Sequence, residues 1–260
     1  MNSYQLWISF YTMIRKDIVR MFRIWVQTFL PSVITSTLYY TVFGTLLGSR
    51  IGEMQGVDYM TFVVPGLVML AIVTTSYANT SFMFFTSKFF ARSIDEILVS
   101  PTPPSLLVAG FAAGGVVRGT LVGLLVLLVS LFFTGLSLTI FNALVILGFA
   151  ILTALVFSLA GLVNGIYAKS IDGINIVPTF ILTPLVYLGG IFYSVHVLPE
   201  WWQWITYANP LFYLVNGLRY GFLGITDIPL SISLGVLLAL IAILGAINWY
   251  FVKTGLGLKQ

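Results

Sequence analysis

Six long apolar runs leave this chain few folds to choose from. They cover about residues 24–47, 59–85, 105–133, 140–167, 174–193 and 229–252. Each reaches about 20 residues or more, enough for a helix to cross roughly 30 Å of hydrocarbon. A membrane barrel would instead show short segments of alternating polarity, and none occur. Only 8% of the 260 residues are charged and the mean hydropathy is +1.03, whereas a soluble domain carries about 25% charged residues. The sequence therefore reads as an all-α polytopic membrane protein of six transmembrane helices, forming one domain over residues 1–260.

The net charge of +4 does not point to nucleic acid, because of where the charges lie. With the N-terminus inside, Arg15, Lys16, Arg20, Arg23, Lys88, Arg92, Lys169, Lys253 and Lys259 all fall inside. Arg50 and Arg219 fall outside and Arg118 lies within a span. That asymmetry follows the positive-inside rule and places both termini in the cytoplasm. The first run is far longer than a signal-peptide core, so it reads as an uncleaved anchor. The chain has no cysteine and hence no disulfide framework.

Two amphipathic segments flank the spans. Over residues 4–23, Trp7, Tyr11, Ile14, Ile18 and Met21 recur at helical spacing beside a basic stripe of Lys16, Arg20 and Arg23. Such a helix lies in the membrane interface, cations towards anionic headgroups. Residues 86–100 form a second short helix, with Phe85, Phe89, Ile94, Ile97 and Leu98 on an apolar side and Lys88, Arg92, Asp95 and Glu96 exposed. Pro101, Pro103 and Pro104 stop it.

Small residues four apart, Gly110/Gly114, Gly115/Gly119/Gly123 and Gly161/Gly165, predict close helix packing. Arg118 sits among them and should face protein, a water-filled cavity or a carboxylate. Pro178 and Pro184 interrupt the fifth run. Beyond it, residues 197–207 and 210–222 are two short aromatic pieces hinged at Asn209-Pro210, each too short to cross. They read as a re-entrant pair dipping in from outside, with Arg219 near water. His196, the one histidine, reads as an interfacial side chain.

No G-x-x-x-x-G-K-[ST] phosphate loop occurs, nor a metal-spaced cluster or catalytic triad. All eight acids lie in loops or at the ends of runs, so no buried carboxylate is expected. Ion-coupled carriers place ionisable groups at mid-membrane, which here leaves Arg118 alone. The chain shows no energy source of its own.

Leu182, Leu185, Leu188-Gly189, Ile191, Leu198-Pro199, Pro210-Leu211, Tyr213 and Arg219 together resemble the signature of ABC-2 type permeases, the membrane subunits of ATP-driven exporters. The stretches "RIWVQTFLPSVITSTLYYTVFG", "VPGLVML", "FSLAGLVNG" and "VPTFILTPLVYLGGIFYS" extend the likeness along the chain. The resemblance implies a bacterial inner-membrane homodimer in contact with membrane lipids. It would work with two cytoplasmic ATPase subunits that bind ATP and Mg²⁺, this chain holding no cofactor. Residues 4–23 would be its interface helix and 86–100 its coupling helix. Arg15, Lys16, Lys88, Arg92, Asp95 and Glu96 would stand at the ATPase contact, Pro210, Tyr213 and Arg219 near the exit of the pathway. An amphiphile, lipid or lipid-linked glycan is the expected substrate. The alternative is an ATP-independent channel or secondary carrier.

Overall fold

Helix caps and chain breakers place most of the boundaries. The structure, a computed structural model, describes residues 2–90, 93–136 and 138–258. Asn2 caps α1 (Ser3–Arg23), and the Gln5 side chain accepts from the Asn2 amide at 3.0 Å. One non-helical residue, Ile24, separates α1 from α2 (Trp25–Tyr39). The backbone then stays helical through a π-helical stretch, Tyr40–Leu47, into α3 (Gly48–Ile51). A hairpin follows, with β1 (Glu53–Met54) antiparallel to β2 (Val57–Asp58). Gln55 and Gly56 make its turn with φ of 54° and 79°, the left-handed pair that a two-residue hairpin of type I′ demands.

Asp58 caps α4 (Tyr59–Phe89) by accepting from the Met60 amide. The short α5 (Ser93–Val99) ends before the prolines, and Pro104 opens α6 (Pro104–Thr134) at its first turn. Gly135, left-handed at φ 64°, closes α6, and Thr139 caps α7 (Ile140–Tyr167). Next come α8 (Ile171–Val177), a π-helical turn Pro178–Leu182 and α9 (Thr183–Tyr187). The Pro178 carbonyl accepts both the amide and the hydroxyl of Thr183, five residues on, which widens the helix there. α10 (Glu200–Ala208) and α11 (Pro210–Leu223) meet at Asn209. Its side chain caps α11 at Leu211 and donates to the Leu185 carbonyl at 2.6 Å. α12 (Leu230–Thr254) completes the chain.

The protein is all-α apart from the hairpin, and α4, α6, α7 and α12 are long and apolar enough to cross a membrane. The first apolar run is helical over residues 25–51 and contains the π stretch. The fifth is helical only over Ile171–Tyr187, about 25 Å at 1.5 Å per residue. It stops short of the sequence reading of 174–193 because the chain turns at Gly189 and Gly190, the latter at φ 72°.

α4 is the central helix, and the glycine stripes explain how closely its neighbours approach. A β-carbon at Gly115 would fall on the hydroxyls of Thr80 and Ser158, and one at Gly119 on that of Ser76. Gly161 lies against the Tyr77 carbonyl and Gly165 against that of Ser81. Gly110 and Gly114 instead receive Met13 and Asp17 of α1. All three stripes are thus used within the subunit. Because the Tyr77 backbone cannot swing aside, Gly161→Leu should destabilise the fold by about 1–3 kcal/mol. Gly148→Leu, with nothing within 4 Å of its new β-carbon, should be neutral. Unfolding of both variants in mixed micelles checks this.

Candidate functional site

A basic side chain inside an apolar bundle must find an anion, and Arg219 does. It is 1% exposed, enclosed as α11 packs among α4, α7 and α12, so the sequence reading of an arginine near water is corrected. Its Nη1 donates to Asp227 Oδ2 at 2.8 Å and its Nη2 to the Gly190 carbonyl at 2.7 Å. The guanidinium also stacks 4.2 Å from the centre of the Phe62 ring. Asp227 overturns the expectation that no carboxylate is buried, its side chain being 0% exposed. It lies in a loop, as expected, but that loop folds back onto the bundle. Asn216 holds it there, accepting from the Asp227 amide at 2.8 Å and donating to the Ile228 carbonyl and Ser233 hydroxyl.

The hairpin closes this cluster. Gln55 Nε2 donates to Asp227 Oδ1 and to the Ser194 hydroxyl, both at 2.7 Å. His196 is exposed as expected, yet its Nε2 stands 3.6 Å from Asp227 Oδ1. Tyr213, half-buried, donates from its hydroxyl to the Tyr207 carbonyl at 2.8 Å and ties α10 to α11, which Pro210 opens. Sequence reasoning named Pro210, Tyr213 and Arg219 but missed Asp227, Asn216 and Gln55. The isolated arginine was itself the signal that an acid must lie near.

A groove runs between α2, α4 and the α8–α9 segment. Two hollows of about 370 Å³ and about 180 Å³ share Tyr39, Leu70 and Thr74 as walls. The larger adds Tyr77, Thr179, Thr183, Tyr187 and Phe192, the smaller Ser32, Thr35 and Ser36. Among the described residues, no charged side chain lines either. The surface therefore pairs aromatic faces with hydroxyls, chemistry suited to an uncharged or amphiphilic ligand.

The α5 end gathers the remaining predicted residues. Ile94, 1% exposed, anchors α5 in a cluster with Phe84, Leu107, Leu162 and Ile166. Asp95 and Glu96 are exposed beside it, as are Arg15 and Lys16 on α1. Leu98 is exposed rather than on the packed side. Arg92 falls outside the described residues. Lys88 does not join the exposed face the sequence suggested. Its Nζ is turned inward to the carbonyls of Ile166, in the last turn of α7, and Gly257, in the turn beyond α12, at 3.1 and 2.5 Å; the α7 carbonyl has no donor within its own helix.

Arg118 meets protein, as expected, donating from Nη1 to Asn79 Oδ1 at 2.9 Å. Across Gly114 lies Asp17, which the sequence reading had not singled out. Burial pushes the Asp17 carboxyl up from the ordinary carboxylate range, against the pull of Arg20, Lys16 and Arg118.

These features agree with what the chain resembles. The ABC-2 type transporter family profile matches residues 8–223, and the chain belongs to that family. It is a multi-pass membrane transport permease. The inner membrane transport permease YadH of Escherichia coli K12 is 49% identical to it over 256 residues, 98% of each chain. Nodulation protein J of Rhizobium meliloti strain 1021 is 24% identical over 233 residues, 89% of this chain and 86% of its own. Nodulation protein J of Rhizobium leguminosarum bv. viciae is 25% identical over 219 residues, 82% and 83% of the two chains.

Two outcomes are expected of the charged groups. Arg219→Ala should cost about 3–5 kcal/mol, because it strands a buried carboxylate. Replacing Arg219 and Asp227 together with apolar residues should cost less than the sum of the single changes, measured as a double-mutant cycle of unfolding. For Asp17 the folded state holds its proton more tightly than the unfolded chain does. Its contribution is therefore fully present below the ordinary aspartate pKa of about 3.9 and lost as pH rises through the raised folded value. The wild-type melting temperature should fall across that window relative to Asp17→Asn.

Proposed function

We propose that the chain is the membrane subunit of an ATP-driven exporter, working as a pair with two separate ATPase subunits that supply ATP and Mg²⁺ binding. The observation that carries the reading is α5: a short helix anchored through Ile94, presenting Asp95 and Glu96 to solvent. Such a helix gives a soluble partner a handle that is packed against α4 and α6 through Phe84 and Leu107. In this reading α1 is the interface helix, and residues 25–51 and Ile171–Tyr187 join the four long helices to make six crossings. The distribution of lysine and arginine favours both termini in the cytoplasm of a bacterial inner membrane. α10 and α11 then form an outer re-entrant pair.

ATP binding closes the ATPase pair, the closure moves α5 and α1, and the spans rearrange about a pathway between two copies. The groove of Tyr39, Tyr77, Tyr187 and Phe192 among threonine and serine hydroxyls supports an amphiphile, a lipid or a lipid-linked glycan as substrate. Rings stack on apolar chains or sugar faces, and the absence of charge in the lining disfavours small ions.

Co-expression with an ATPase encoded beside the gene tests the proposal. Wild type should purify as a complex of two permeases and two ATPases, and Glu96→Arg should lose the ATPase while inserting normally. A complex indifferent to Glu96→Arg and to Asp95→Arg would sink the assignment of α5.

A further inference from the structure

A hollow of about 390 Å³ lies outside the groove and the buried ion pair, walled by α1, the cytoplasm-facing end assigned to α4, the α5–α6 linker and the first turns of α6. Its apolar wall includes Met13, Met83 and Phe111, with the hydroxyls of Ser87, Ser100 and Thr102 at its other sides. Phe111 lies seven residues into α6 from Pro104, roughly 10 Å along the helix axis. Exposed Lys16 lines the hollow, next to exposed Arg15. Asp17 lines the hollow as well, but its carboxylate is turned onto Gly114 and lies in the field of Arg20, Lys16 and Arg118. Trp7 and Tyr11 are exposed on α1, as rings that settle at headgroup depth are.

We propose that this hollow holds an acyl chain of an anionic membrane phospholipid, with the lipid phosphate against Lys16. Depth decides between a lipid and a protein side chain. α6, 31 residues and about 46 Å long, exceeds roughly 30 Å of hydrocarbon, so Phe111 stands near the edge of the core, at a level that a lipid tail reaches from the side and a soluble partner does not. Charge decides the headgroup: Lys16 at the hollow and Arg15 beside it are exposed cations, each worth about fivefold in binding near an anionic surface. A tail seated there separates α1 from the α5–α6 linker, so the lipid sets the spacing of the two helices. The site needs only that α1 lies in one leaflet; it does not depend on the direction of transport.

The test is native mass spectrometry of the full chain in detergent, titrated with dioleoyl-phosphatidylglycerol or dioleoyl-phosphatidylcholine. Wild type should retain one phosphatidylglycerol several-fold more tightly than phosphatidylcholine, which has the same tails but a phosphate offset by its choline. Lys16→Glu should weaken retention on the order of tenfold, counting charge lost and charge reversed. Thr12→Trp should abolish it by filling the hollow from an exposed position on α1. Arg23→Glu, off the hollow, should change it little. Free glycerol phosphate should not displace the lipid, since the tail supplies most of the binding. Equal retention of both lipids, undiminished retention by Thr12→Trp, or displacement by glycerol phosphate would overturn the proposal. So would expulsion of the lipid by a stoichiometric ATPase partner, which would assign the hollow to protein.

Discussion

A guanidinium enclosed in hydrocarbon-like surroundings costs several kcal/mol unless it is paired and its donors are met. Arg219 is paired with an acid eight residues further on, its two terminal nitrogens bonded and its Nε left without a partner, and much of one end of the molecule is arranged around that pair. Asp227 reaches it only because Asn216 folds the loop before α12 back onto α11. The second guanidinium donor fixes the Gly190 turn, where the fifth apolar run leaves its helix. Gln55 brings the hairpin to the same carboxylate, from a backbone conformation that a non-glycine residue rarely holds. Two half-length helices, a turn, a hairpin and a loop are thus positioned by one pair of charges. None of them is long enough to be placed by spanning a bilayer.

The remaining bundle divides into a stiff part and a pliant part. α4, α6 and α7 meet at glycine-to-backbone and glycine-to-hydroxyl distance, where little adjustment is possible. Residues 25–51 and Ile171–Tyr187 each carry a π-helical stretch, whose backbone ladder is looser and is found at functional sites. The aromatic and hydroxyl-lined groove lies where these parts adjoin, with Leu70, Thr74 and Tyr77 from the stiff side and Tyr39, Thr179 and Tyr187 from the pliant one. In the proposed exporter, movement of those walls against α4 would change the width of the groove without disturbing the core.

Elements governed by length and local chemistry were legible in the sequence. The runs at 59–85, 105–133, 140–167 and 229–252 became α4, α6, α7 and α12 within a few residues, because capping and proline stops act locally. The hinge at Asn209-Pro210 was legible for the same reason. What the sequence hid were pairings over distance. Asp227 reads as an ordinary loop acid until Asn216 turns it inward, and Lys88 looks solvent-facing until the ends of α7 and α12 arrive beside it. Hydrophobic spacing predicts which face of a helix is buried, not which polar group will meet it. The glycine stripes lay between these cases: their closeness was foreseeable, but not that α1 would occupy Gly110 and Gly114.

The inward turn of Lys88 has a mechanical consequence. One ammonium group joins the end of α4 to the last turn of α7 and to the glycine turn beyond α12, directly beside the short helix α5. It works as a pin through three layers. In the proposed exporter, a push delivered to α5 would be shared among three helices and not spent bending one hinge. Because the same helices run on to the end where Arg219 and Asp227 hold the hairpin and the short helices, such a displacement would be carried from one end of the bundle to the other.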